Sequence, residues 1–172
     1  MSNIVFLPDM RVQNEDTHFF YQDLVLQLNA TILNMPDVHE YNTKRFEVQG
    51  MSYMRNLLNS TTNDVIIAHG SSADALLRYI ESDKVELAIV IDGSQIYTAG
   101  ERHGRDYRWE LIKQNVKKVV LIGITPEGKE DANVLSQKFG HPSILKCMDD
   151  DASSIEIISA MSDILQNFKT TL

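Results

Sequence analysis

No stretch of this chain is basic enough to follow a phosphate backbone. Its 16 lysines and arginines are outnumbered by 24 aspartates and glutamates, a net charge of -8 that repels nucleic acid. The only cysteine, Cys147, excludes an internal disulfide. No apolar run approaches the ~18 residues of a membrane-crossing helix, and the start, Met1 to Asp9, lacks the basic leader and apolar length of a signal peptide. These absences lead us to expect a cytosolic or nuclear protein, with no membrane and no direct nucleic-acid partner. There is also no internal repeat and no low-complexity linker, so residues 1–172 read as one domain. A chain of that size buries enough surface to fold without a metal or disulfide staple.

What is present is a regular alternation. Short β-branched runs recur with helical patterns between them, which is how buried parallel strands joined by crossover helices look in sequence. The runs predict strands at Ile4 to Leu7, Thr31 to Leu33, Val65 to Ala68, Leu87 to Ile91, Lys118 to Ile122 and Ser143 to Lys146. Phe20, Leu24 and Leu28 share one helical stripe, as do Ala73, Leu76, Leu77 and Ile80. Ser153 and Glu156 have the spacing of a capping box, placing the start of the last helix near Ser153. Its apolar face is Ile157, Ile158, Met161, Ile164, Leu165 and Phe168. Two segments interrupt the alternation: Asn34 to Asp37 before a helix near Lys44 to Leu58, and a polar excursion from Asp92 to Arg108. The whole predicts a six-stranded, mostly parallel, doubly wound α/β sheet, whose ligands would lie beyond the carboxyl ends of the strands where strand order reverses.

The most informative of those carboxyl ends is Val65-Ile66-Ile67-Ala68-His69-Gly70-Ser71-Ser72-Ala73, a strand entering a sharp turn and then a helix. That is the context of a nucleophile elbow, in which the apex residue has a strained backbone and the residues two before and two after are small. With Gly70 at the apex, Ala68 and Ser72 fill the small positions, and glycine adopts positive φ without steric cost. Moving the apex to Ser71 or Ser72 puts His69 or Asp74 where a minimal side chain is needed. The elbow fits, and it has no nucleophile.

Together with Asn34-Met35-Pro36-Asp37, Leu77-Arg78-Tyr79 and the run Arg105 to Asn115 leading into the strand before Gly123, this segment resembles the retinoblastoma-binding-protein-nine family of small serine hydrolases over nearly the full chain. The resemblance implies a three-layer, α/β-hydrolase-like fold with strand order 2-1-3-4-5-6. It also implies a catalytic triad, and none of its members is in place. The family's nucleophile falls on Gly70. Its acid falls on Pro126, with Glu127 beside it, and the histidine after the last strand is replaced in Lys146-Cys147-Met148-Asp149-Asp150-Asp151, where Asp149 stands near the base position. The glycine-rich loop that helps build the family's oxyanion hole is here Pro8 to Asp16, with no glycine and the carboxylates of Asp9, Glu15 and Asp16. Such a loop repels a developing oxyanion.

The expectation is therefore a non-catalytic hydrolase-like domain that binds a protein partner or a second copy of itself, with no metal and no cofactor. The contact residues we expect are His69, Tyr97, Arg102, Arg105 and Tyr107, since arginine and tyrosine are enriched at interface hot spots. The rival is a small serine esterase or peptidase with Ser71 or Ser72 as a relocated nucleophile assisted by His69. The bland reading of both serines is helix capping. A third reading has Asp9, Glu15 and Asp16 attracting a cationic small molecule. His141 lies before the sixth strand, opposite the site, and Cys147 reads as an inert buried cysteine. The run Asp149 to Asp151 precedes a helix N-terminus, where the dipole favours negative charge. Met51 and Met54 have helical spacing and read as core.

Overall fold

The computed structural model describes residues 3–9, 15–33, 63–93, 106–140 and 143–170. The predicted helix near Lys44 to Leu58, the segment Asn34 to Asp37 and most of the Asp92 to Arg108 excursion lie outside them. The six predicted strands are all present: β1 (Asn3–Leu7), β2 (Thr31–Ile32), β3 (Asn63–His69), β4 (Val85–Ile91), β5 (Val116–Gly123) and β6 (Ser143–Cys147). They form one sheet in the order β2-β1-β3-β4-β5-β6, and every neighbouring pair is parallel.

The described helices are α1 (Glu15–Leu28), α2 (Ser72–Ile80), α3 (Trp109–Asn115), α4 (Pro126–Phe139) and α5 (Ser154–Thr170). Their apolar stripes divide the core in two. Phe20, Leu24 and Leu28 of α1 join Ile157, Ile158, Met161, Leu165 and Phe168 of α5 over one face of the sheet, against Phe6, Ile67 and Ile89. Leu76, Leu77 and Ile80 of α2, Ile112 of α3 and Leu135 and Phe139 of α4 cover the other face, against Ile66, Ala88 and Leu121. Successive strand side chains point to opposite faces, so a strand buried on both must be apolar at every position. That explains the unbroken hydrophobic runs Val65 to Ala68 within β3 and Leu87 to Ile91 within β4. Each fully buried Leu or Ile contributes roughly 1.5–3 kcal/mol relative to exposure.

Local signals set the helix ends. Glu156 N–H donates to Ser153 Oγ at 3.3 Å, so one half of the expected capping box closes the start of α5. At α4, Thr125 is the N-cap, accepting from Gly128 N–H at 3.0 Å, and Pro126 takes the first helical position, where its missing N–H is no loss. Among the described residues no helix is long and apolar enough to cross a membrane.

Candidate functional site

Because the strands are parallel, the residues following β1, β3, β4, β5 and β6 gather at one end of the sheet. β2 and β3 lie on opposite sides of β1, so the strand order reverses there, the point at which doubly wound sheets bind their ligands, and the chain leaving β1 meets the chain leaving β3. Pro8 and Asp9 form one side; Gly70 and Ser71 form the other.

Gly70 is the apex of the turn, with φ +57°. Ser71 already has helical dihedrals, φ -64° and ψ -21°. Ala68 and Ser72, at the two small positions, are fully buried. The elbow geometry is thus intact and centred on Gly70, as its sequence spacing predicts.

The space a nucleophile would need is filled. A Cβ placed on Gly70 would overlap the carboxylate of Asp9, at both Oδ2 and Cγ. That carboxylate is held across the turn: Asp9 Oδ1 accepts from Ser71 Oγ at 2.6 Å and, more weakly, from Ser71 N–H at 3.4 Å. Ser72 Oγ donates to the Pro8 carbonyl. Both candidate nucleophilic hydroxyls are therefore engaged with the chain after β1. Ser71 makes no side-chain capping bond to its own helix, although it is the residue before α2; the acceptor it meets first is a carboxylate.

His69, at the end of β3, is half-buried and packs edge-on against Phe20 and Tyr21, with ring centroids 6.0 and 5.6 Å apart. Its Nδ1 lies 2.7 Å from the Tyr21 hydroxyl, which itself accepts from Asp9 N–H at 2.9 Å. With the phenol proton given to Nδ1, the ring hydrogen is assigned to Nε2 and the imidazole is neutral. Burial favours that form, pushing the His69 pKa below 6.5, while Asp9 and then Asp92 pull it back up. Burial likewise pushes the Tyr21 phenol up, keeping it a donor, against the opposing bond from the Asp9 backbone.

The loop after β5, where the resemblance would put an acid, is held by another carboxylate. Asp92, following β4, adopts φ +46°, and its carboxylate accepts from Ile124 N–H at 2.6 Å and from Thr125 N–H at 3.3 Å. Gly128 makes room for it, because a Cβ there would overlap Asp92 Oδ1. Pro126 begins α4 immediately beyond. At the base position, Asp149 is exposed and its carbonyl accepts from Ala152 N–H at 2.9 Å. The neighbouring Asp150 pairs with Lys129 Nζ at 2.7 Å.

Two solved structures share this arrangement of elements. The ydeN gene product of B. subtilis superposes with a TM-score of 0.71 at 14% identity, covering 99% of this chain and 100% of its own. A predicted CIB-like hydrolase from Thermoplasma acidophilum gives 0.64 at 10% identity, covering 96% of this chain and 86% of its own. The fold is that of the α/β hydrolases. No protein-family model matches the chain, and no curated protein sequence does. At such identities the likeness carries the fold alone, and function must be argued from the site.

Of the expected contact residues, Tyr97, Arg102 and Arg105 lie outside the described residues, as do His141, Met51 and Met54; Cys147, expected to be buried, is exposed, because it ends a strand with no neighbour on its outer side among the described residues. Tyr107 is described, and it is buried instead of facing a partner. Its hydroxyl donates to Asp74, its ring lies 4.2 Å beneath the Arg78 guanidinium, and burial followed by the Asp74 charge pushes its pKa up. Among the described residues no group of His, Cys, Asp or Glu side chains is arranged to hold a metal ion. Tyr21 and Asp92 were not singled out as site residues from sequence. Tyr21 reads there as one more position on an amphipathic helix. Asp92 carries a weak cue, since a residue after a strand that must turn with positive φ is often Asp or Asn.

Proposed function

We propose that this chain is a hydrolase-fold domain that has lost the reaction and works as a protein-binding module, related to the retinoblastoma-binding-protein-nine family. The observation that carries this reading is the Asp9 carboxylate lying where a side chain on Gly70 would have to be. A nucleophile and that carboxylate cannot share the space, and a negative charge at the apex opposes the oxyanion that acyl transfer develops. His69 is tied to Tyr21, and the acid loop's amides are tied to Asp92. The resemblance supports the reading from a second side, because the departures fall on separate loops while the core pattern is retained. The face we assign to the partner is the loop cluster over the former site, together with the 92–108 segment that bears Tyr97, Arg102 and Arg105.

One observation favours a second reading. Ser71 Oγ lies 2.6 Å from a carboxylate that could accept its proton, the contact expected of a relocated serine nucleophile. Labelling with a fluorophosphonate serine-hydrolase probe separates the two, run on the wild type, Ser71→Ala and Ser72→Ala beside an active serine hydrolase. We expect no labelling of any form while the control labels strongly. Labelling of the wild type that disappears in Ser71→Ala would replace the binding module with an enzyme.

A further inference from the structure

β6 has an exposure its position in the sequence pattern does not explain. Its neighbour β5 is sealed on both faces from Val119 to Ile122. In β6, by contrast, Ile144 is 49% and Leu145 38% exposed, on opposite faces of the sheet, and Lys146 and Cys147 are exposed as well. Among the described residues no strand pairs with its outer side. A parallel strand of apolar character is ordinarily covered on both faces, and an unpaired edge presents a row of N–H and C=O groups that is a template for another strand.

The backbone shows which groups are on offer. Met148 N–H donates inward to Gly123 of β5 at 2.8 Å. Since a strand's N–H and C=O groups alternate sides, Ile144 and Lys146 also point inward, and those of Leu145 and Cys147 point out. A second copy related by a twofold axis perpendicular to the sheet brings β6 antiparallel to itself. Centred on Leu145, the register sets Leu145 opposite the partner's Leu145 as a hydrogen-bonded pair. Cys147 N–H then meets the partner's Ser143 carbonyl. Ile144 lies opposite the aliphatic stem of the partner's Lys146, and no like charges face each other. A register centred on Lys146 would oppose two ammonium groups, and one centred on Ile144 would pair Leu145 with the partner's Ser143 and call on the Ser143 N–H, which already donates to the Gly140 carbonyl at 3.1 Å. The favoured register also brings the acidic turn 149–151, whose Asp149 and Asp151 are exposed, alongside the end of the partner's α4, where Lys138 is exposed.

We propose that the chain forms a twofold dimer through β6, joining two six-stranded sheets into one, with Leu145 on the axis. The occupant is a second copy because, in the register centred on Leu145, this strand sets apolar side chains against one another and keeps its own lysines apart while its outward backbone groups pair. The proposal does not depend on whether the former catalytic site is active.

Size-exclusion chromatography with light scattering tests it on the whole chain. The wild type is expected at twice the 19.5 kDa chain mass, and Leu145→Lys, which opposes two lysines on the axis, is expected to run as a monomer with an unchanged circular-dichroism spectrum. Ser143→Cys provides the register. It places a thiol opposite the partner's Cys147, about 5.5 Å away between Cα atoms, a span a disulfide bridges. Mild oxidation should therefore cross-link that variant and leave the wild type uncross-linked. A wild type that stays monomeric at every concentration would overturn the proposal, as would a dimer indifferent to Leu145→Lys or a Ser143→Cys variant that does not cross-link.

Discussion

Gly70 and Asp9 act as a pair, and neither is understandable without the other. A non-glycine residue at φ +57° costs about 1–2 kcal/mol from the backbone alone, and at Gly70 it must also displace a carboxylate anchored by Ser71. Gly70→Ala should therefore cost more than that in the wild-type background and fall back towards it in an Asp9→Gly background. A double-mutant cycle read by urea denaturation is expected to give a coupling of about 1 kcal/mol or more; strictly additive costs would mean that Asp9 does not fill the apex. The glycine was legible in the sequence because strand, turn and small flanking residues are local features. The carboxylate was not, since Asp9 and Gly70 are 61 positions apart and only sheet pairing of β1 with β3 brings them together. The sequence marked Asp9 as a charge unfriendly to an oxyanion. Its position inside the elbow is a property of the register.

At the scale of elements, α2 is fastened to the chain entering α3 by a buried polar cluster. Arg78 stacks on Tyr107, pairs with Glu81 at 3.2 Å and donates to the Asp106 carbonyl at 3.3 Å. Glu81 also accepts from Arg108 N–H at 3.2 Å. Buried charges persist only when paired and hydrogen-bonded, which accounts for an arginine on a helix otherwise committed to the core. Tyr107→Phe keeps the ring and removes the hydroxyl that Asp74 accepts from. A bond to a charged group is worth about 1.5–3 kcal/mol, so a loss in that range is expected by urea denaturation; unchanged stability would show that the clamp rests on Arg78 stacking alone. Sequence patterning placed Ala73, Leu76, Leu77 and Ile80 correctly on the buried face of α2, because helical period is local. It could not show that Arg78 is buried too, since the Tyr107 ring and the Asp106 carbonyl that cover it come from a segment nearly thirty residues away.

At the scale of the molecule, one sheet separates two cores, with Leu24 at the centre of one and Leu76 at the centre of the other, both fully inaccessible. Leu24→Ala and Leu76→Ala are each expected to cost about 2–5 kcal/mol. Because the sheet stands between the sites, their effects should add within roughly 0.5 kcal/mol in a single unfolding transition. Two separate transitions would mean that the faces fold as independent units. The sequence by itself determined the strands, the helix stripes, the elbow and the absence of a serine at its apex, since each follows from the chemistry of neighbouring residues: alternation, helical period, capping and glycine's freedom in φ. Only the tertiary structure decided that Asp9 lies against the Gly70 apex, that Asp92 holds the loop after β5, that Tyr107 is an anchor instead of a contact residue, and that β6 has no strand on its outer side among the described residues. Each of these depends on which strand lies beside which, and in a parallel sheet that order is set by crossovers spanning tens of residues, where short-range pattern carries no information.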